Sequence, residues 1–183
     1  MTEHEHRYLR FPLRYRLEHW VLFLTFTALA VTGLVQKFAQ HDLSIWLIDL
    51  LGGISSVRSI HRIAATIMMV ETIYHFGEVG YNLRVRRDKS ELMLTRMDLR
   101  HAWQALKVNL RRSTEPPRQG RYTFEEKFEY LALVWGTLVM IVTGSVLWNP
   151  IATTAILPGE FVPAAKAVHG GEALLAVLSL IVW

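Results

Sequence analysis

Apolar residues gather into four long runs, and the polar residues gather between them. The pattern predicts helices at about 17–38, 59–82, 126–148 and 164–183, each of about the length that crosses a ~30 Å hydrocarbon core. Trp20, Trp46, Trp135, Trp148 and Trp183 fall in or near these runs, as an aromatic belt or packing on a cofactor requires. The segment 83–125 between the second and third runs is polar but patterned. Leu99, Ala102, Trp103, Leu106 and Leu110 share one helical face, and Arg100, Gln104, Lys107 and Arg111 another. This reads as an amphipathic helix capped at Asp98 and running to about Arg112, lying on a membrane surface or against a partner subunit. Glu115-Pro116-Pro117 then ends it. The expected fold is all-α: a single domain over 1–183, an integral membrane four-helix bundle with a cytoplasmic amphipathic helix between helices two and three.

Charge gives the bundle a direction. Of the 20 Lys and Arg residues, all but Lys37, Arg58, Arg62 and Lys166 lie in two blocks, Arg7 to Arg16 and Arg84 to Lys127. Both blocks flank apolar runs, which favours membrane topology over nucleic-acid binding. The positive-inside rule puts them in the cytoplasm, with the N-terminus inside, in a multi-pass protein of the bacterial inner membrane. No small-residue cleavage site follows the first apolar run, so it is read as a retained helix. The chain has no cysteine. Disulfides, cysteine-ligated iron–sulfur clusters and covalently attached c-type haem are therefore excluded from it.

Histidines inside the apolar runs carry the candidate chemistry. His61 and His75 stand fourteen positions apart, a step of about 1400° in a helix, roughly 40° short of four turns, so they share a face. Their rise of about 21 Å suits ligands for two stacked haems, one per leaflet. By depth, His61 and His169 share the outer leaflet, and His19 and His75 the cytoplasmic one. Ligation of haem iron by two neutral imidazoles from facing helices fits a bundle. Arg62, beside His61, suits a haem propionate or a lipid headgroup. Gly33, Gly136, Gly144, Gly170 and Gly171 allow close approach of a macrocycle or of another helix. Glu71 lies mid-helix one turn before His75, where it is neutral, bonded to an imidazole or part of a proton path. His4, His6, His41 and His101 fall outside the spans.

The chain also repeats itself weakly. Arg16-Leu17-Glu18-His19-Trp20 is similar to Lys127-Phe128-Glu129-Tyr130-Leu131, and Val31-Thr32-Gly33 matches Val142-Thr143-Gly144, both at an offset of 111. His61 and His169 stand at an offset of 108. Two related helical hairpins account for this.

The run Arg-Tyr-Arg-Leu-Glu-His-Trp at 14–20 with Thr32-Gly33, Ile-His-Arg-Ile-Ala-Ala at 60–65 with Tyr74-His75, the segment 120–130 with Trp135-Gly136-Thr137 and Thr143-Gly144, and His169 with Glu172-Ala173-Leu174 resemble a known family. These stretches look like the di-haem cytochrome b (gamma) subunits of membrane-bound formate dehydrogenases and the related b-type cytochromes of nickel–iron hydrogenases. The resemblance implies haem ligands at His19, His61 and His169, two b-type haems, and a quinone site near Tyr122, Thr123, Glu126 and Lys127. Thr123 and Glu126 also have the spacing of a helix capping box. The family carries a further histidine about fourteen residues along the fourth helix, where this chain has Trp183. The inner haem's second ligand is then supplied by a continuation of the chain or by His75.

The expected function is electron transfer through two b haems between an extracytoplasmic oxidoreductase, with its iron–sulfur and catalytic subunits, and the quinone pool. Beyond quinone oxidation or reduction the chain has no expected catalytic residue. The alternative is a haem-free membrane anchor or a proton-path or transport protein.

Overall fold

The computed structural model describes residues 13–86, 94–111 and 122–182. Expectations on Arg7 and Arg10, on Glu115-Pro116-Pro117, on Gly120 and on Trp183 lie outside them. The regular structure among the described residues is all helical, with no strand. The elements are α1 (Leu13–Lys37), α2 (Asp42–Leu50), α3 (Ile54–Tyr81), a π-helical turn (Asn82–Arg86), α4 (Arg96–Asn109), α5 (Phe124–Trp148), α6 (Pro150–Thr154) and α7 (Phe161–Val182). Two compact units divide the chain, with boundaries at Gly77–Glu78 and Ala176–Val177.

In the first unit, α1 and α3 carry the long apolar runs. Buried Thr25, Thr32 and Val35 form a stripe on α1, and Val57, Ala64, Met68 and Thr72 form one on α3. Apart from Met68 the residues are small or β-branched, and each threonine hydroxyl is absorbed by a carbonyl one turn back: Thr25 by Val21 at 2.7 Å, Thr72 by Met68 at 2.7 Å. Small residues and internally satisfied polar groups are what helix contacts in lipid use. The connection between the two helices is itself helical, which the sequence pattern did not anticipate. Asp42 favours the start of α2 by opposing the helix dipole. Gly52 and Gly53 end it with φ of +86° and +96°, and the Gly53 N–H reaches back to the Ile48 carbonyl at 2.7 Å. Only glycine takes these angles without strain, and the chain turns there by 79° into α3.

In the second unit, α5 begins with a full capping box. Thr123 Oγ1 accepts from the Glu126 N–H at 3.2 Å, and the Glu126 carboxylate accepts from the Thr123 N–H at 2.8 Å. Asn149 Oδ1 caps α6 through the Ala152 N–H at 3.1 Å, with Pro150 in the first turn. The Thr153 hydroxyl donates to the Val146 carbonyl at 2.9 Å and folds α6 back onto the end of α5.

α1, α5 and α7 are each long and apolar enough to cross a membrane, with mean hydropathies of 1.5, 2.0 and 1.5. The stretch from Ile54 to Val85 reaches that level only together with α2. The second expected span is the one loaded with Arg58, His61, Arg62, Glu71 and His75.

α4 starts three residues earlier than the sequence pattern indicated, and its cap is Thr95. Asp98 sits at the third helical position instead. Its carboxylate accepts from the Thr95 N–H and hydroxyl, both at 2.7 Å, and from Lys127 Nζ of α5 at 2.9 and 3.1 Å. The ammonium of Lys127 and the Thr95 hydroxyl hold the Asp98 carboxyl at about 2, below its ordinary 3.8. Because the folded value is the lower one, the contact stabilises α4 fully above the unfolded value and is lost as pH falls through the folded one. Asp98→Asn is expected to loosen α4 by about 1–3 kcal/mol. Hydrogen exchange should show α4 amides opening earlier in that variant at neutral pH. In the parent chain the same opening should come only in strong acid, between about pH 4 and pH 2.

Candidate functional site

Each unit holds one histidine against a threonine on the opposite helix. In the first, Thr32 Oγ1 of α1 lies 2.8 Å from His61 Nδ1 of α3. In the second, Thr143 Oγ1 of α5 lies 2.9 Å from His169 Nδ1 of α7. Both rings are partly buried. The residue after each threonine is glycine. A Cβ built on Gly33 falls 3.4 Å from His61 Cε1, and one on Gly144 falls 3.2 Å from His169 Cε1. Of the glycines expected to admit a macrocycle or a helix, Gly33 and Gly144 lie against the edge of an imidazole.

The weak sequence repeat is therefore a repeated contact. Val57 and Ala165, 108 positions apart, are both buried. The repeat breaks one turn after each histidine. Ala64 on α3 and Thr25 on α1 are both buried. At the equivalent positions of the second unit stand Glu172 and Gly136. A Cβ on Gly136 would come within 2.5 Å of Glu172 Oε1, so the carboxylate occupies the notch that the glycine leaves. Glu172 was not among the expected site residues. Its signal in the sequence was a lone acid in an apolar run, one turn beyond a histidine.

His75 and His61 lie on one continuous helix, as their spacing required. His75 Nδ1 stands 3.4 Å from Glu18 Oε2 on α1. The other Glu18 oxygen is buried without a hydrogen-bond partner among the described residues. Glu71 lines an apolar recess of about 530 Å³ with Glu18, Arg14 and Tyr74. His19 is exposed on α1, and Arg62 is exposed beside His61. Tyr122 and Thr123 lie at the start of α5, with Glu126 in the capping box and Lys127 in the ion pair to Asp98.

The sequence profile of the prokaryotic cytochrome b561 family matches residues 10–182. The chain belongs to that family. It is a membrane b-type cytochrome, a carrier of electrons through haem b. The cytochrome b556(fdo) subunit of formate dehydrogenase from Escherichia coli K12 is 24% identical over 142 residues, which are 78% of this chain. The same subunit from Escherichia coli O157:H7 gives the same figures. The chain spans 61% of the length of these relatives.

The residues present fit haem. Haem iron of this type takes imidazole nitrogen, and His61 and His169 are each held at one ring nitrogen by a neutral hydroxyl. The two threonines were legible only as a repeated Thr-Gly pair; their partners became visible when the helices were packed.

Gly144→Ala and Gly33→Ala test the close approach of the rings. Alanine in a helix interior gains about 0.5–1 kcal/mol over glycine. At Gly33 the new methyl makes a bearable contact at 3.4 Å, so the variant should be near neutral. At Gly144 it is pressed to 3.2 Å, and a net loss of about 1 kcal/mol is expected. Thermal unfolding of the two variants in detergent checks the difference.

Proposed function

We propose that this chain is the electron-carrying membrane subunit of an oxidoreductase complex in the bacterial inner membrane. It links an extracytoplasmic catalytic subunit and its iron–sulfur relay to the quinone pool through two b haems. The reading rests above all on the two Thr–His pairs, which hold one imidazole on α3 and one on α7 against the apolar helices α1 and α5. The name of the relatives adds the complex: they are the cytochrome subunit of formate dehydrogenase. His61 and His169 supply iron ligands in the outer leaflet, and Arg62 meets a propionate. His19 belongs to the cytoplasmic leaflet with His75, whose Nδ1 is steadied by Glu18. The iron, when bound, carries one electron at a time; the protein sets its ligands and excludes water. His61→Ala and His169→Ala are each expected to remove about half of the haem absorbance from purified membranes. Unchanged spectra in both variants overturn the ligand assignment, and membranes that never show a b-type α-band favour the haem-free anchor.

The quinone headgroup is proposed to meet the cytoplasmic side at Tyr122, Thr123, Glu126 and Lys127. Reduction there needs protons as well as electrons, and these polar groups stand at the mouth of an apolar helix. Glutamine preserves the capping-box acceptor and removes the acid. Glu126→Gln is therefore expected to slow quinol turnover severalfold with both haems and the unfolding temperature unchanged.

The span order proposed is four crossings by α1, α3, α5 and α7, with both chain ends and α4 in the cytoplasm. α4 lies on the inner membrane surface. Its Leu99, Trp103, Leu106 and Leu110 form a stripe that is 76%, 60%, 45% and 58% exposed, beside Arg96, Arg100, Lys107 and Arg111. An apolar stripe bordered by guanidinium and ammonium groups suits an anionic leaflet. The chain lacks cysteine, so single-cysteine variants label cleanly. A probe at Leu106→Cys should be quenched by brominated lipid and be shielded from an impermeant reagent added outside.

A further inference from the structure

The two threonines have more to do than fill space between helices. Thr32 Oγ1 lies 2.6 Å from the Ala28 carbonyl and 3.4 Å from that of Leu29. Thr143 Oγ1 lies 2.6 Å from the Val139 carbonyl and 3.4 Å from that of Met140. A hydroxyl has one proton, and a carbonyl can only accept. The proton of each threonine is thus committed to its own helix. What remains at each oxygen is lone-pair density, and the atom facing it is an imidazole Nδ1. A short contact between that oxygen and Nδ1 is attractive only if Nδ1 carries the hydrogen. Nδ1–H therefore donates in both units, and the lone pair of each neutral imidazole sits on Nε2.

Five further threonine hydroxyls, those of Thr25, Thr27, Thr66, Thr72 and Thr154, donate to a carbonyl three or four residues back. Thr32 and Thr143 are the two in the described residues whose oxygen also faces a histidine ring. They occupy the same place in the sequence repeat, and each is followed by a glycine that lies against the ring edge. One arrangement occurs twice in sequence-related hairpins with different side chains around it.

We propose that Thr32 and Thr143 are positioning residues that fix the tautomer of His61 and His169, present Nε2 to haem iron and lower the haem potential. The inference rests on the ligand assignment above. Donation from Nδ1–H to an oxygen makes the imidazole a stronger electron donor through Nε2 and favours the ferric state. Loss of the acceptor weakens this donation. It also leaves the ring free to rotate or to take the other tautomer, in which Nε2 carries a hydrogen and has no lone pair for iron.

The test compares Thr32→Val, Thr143→Val and the corresponding serine variants in the full chain, purified with its haem. Valine keeps the shape and removes the acceptor; serine keeps the acceptor. Two quantities are read: haem retained under competition by a haem-binding apoprotein, and the midpoint potential from an optical redox titration. Each valine variant is expected to hold its haem 10- to 100-fold less tightly. The haem that remains should titrate at a higher potential, by about 59 mV for each tenfold change in the ferric-to-ferrous preference. Serine should restore both quantities. Valine variants with parental retention and potential overturn the inference, as does a valine variant whose potential falls. A loss that serine fails to restore assigns the threonines to packing and also overturns it. The His61→Ala and His169→Ala proteins keep the two failures apart: if they retain all haem, the ligand assignment itself is wrong, whereas normal valine variants beside haem-deficient alanine variants sink only the role of the threonines.

Discussion

An imidazole N–H placed inside an apolar helix has no water to answer it, so the protein must supply an acceptor from another helix. That constraint organises both units. Thr32 answers His61 and Thr143 answers His169, and each threonine spends its own proton on its own backbone. The contact works only if the two helices come close enough for a ring to reach across, and after Thr143 a side chain larger than glycine would press on the ring, at 3.2 Å. Most of the buried residues around it are small: Thr25, Ala64 and Val57 in one unit, Gly136 and Ala165 in the other. Lipid tails are as apolar as leucine, so hydrophobic burial does not hold such helices together; close packing and satisfied polar groups do.

The repeated hairpin also shows where the two halves have parted. The first helices align at an offset of 111 and the return helices at 108. The second connection is thus three residues shorter, and its helix α6 has 5 residues where α2 has 9. Glu18-His19 in α1 becomes Glu129-Tyr130 in α5. The first unit adds the contact from Glu18 to His75, on a return helix that runs on to Tyr81. The second moves a polar group across the hairpin, from Thr25 on the first helix to Glu172 on the return helix, with Gly136 making room for it. A duplicated threonine–histidine contact can be kept constant while the charged groups near it diverge, because those groups sit one or more turns away.

α4 is joined to this scaffold by charge rather than by apolar burial. Asp98 receives Lys127 and both Thr95 donors, so a buried carboxylate at the start of α4 is tied to the start of α5. A buried carboxylate with several donors is costly to dislodge, since removal of any one leaves the charge under-compensated. The rest of α4 turns leucine, tryptophan and arginine outward.

The helical class, the long runs of α1, α5 and α7, the common face of His61 and His75, the capping box of Thr123 and Glu126 and the existence of a repeat were all determined by the sequence alone. These follow from periodicity, length and local spacing, which are properties of neighbouring residues. The glycine-bent entry to α3, with α2 ahead of it, was missed because its signal, Gly52-Gly53, is a backbone property that the apolar pattern runs through. Asp98 was placed one role away from its true one, as a cap rather than as the partner of Lys127, because Lys127 is 29 residues distant. The pairing of Thr32 with His61, of Thr143 with His169, of Glu18 with His75 and of Gly136 with Glu172 was decided only by tertiary structure. Each joins two helices that are 26 to 57 residues apart or differ in direction, and nothing local tells a threonine which imidazole will cross its face.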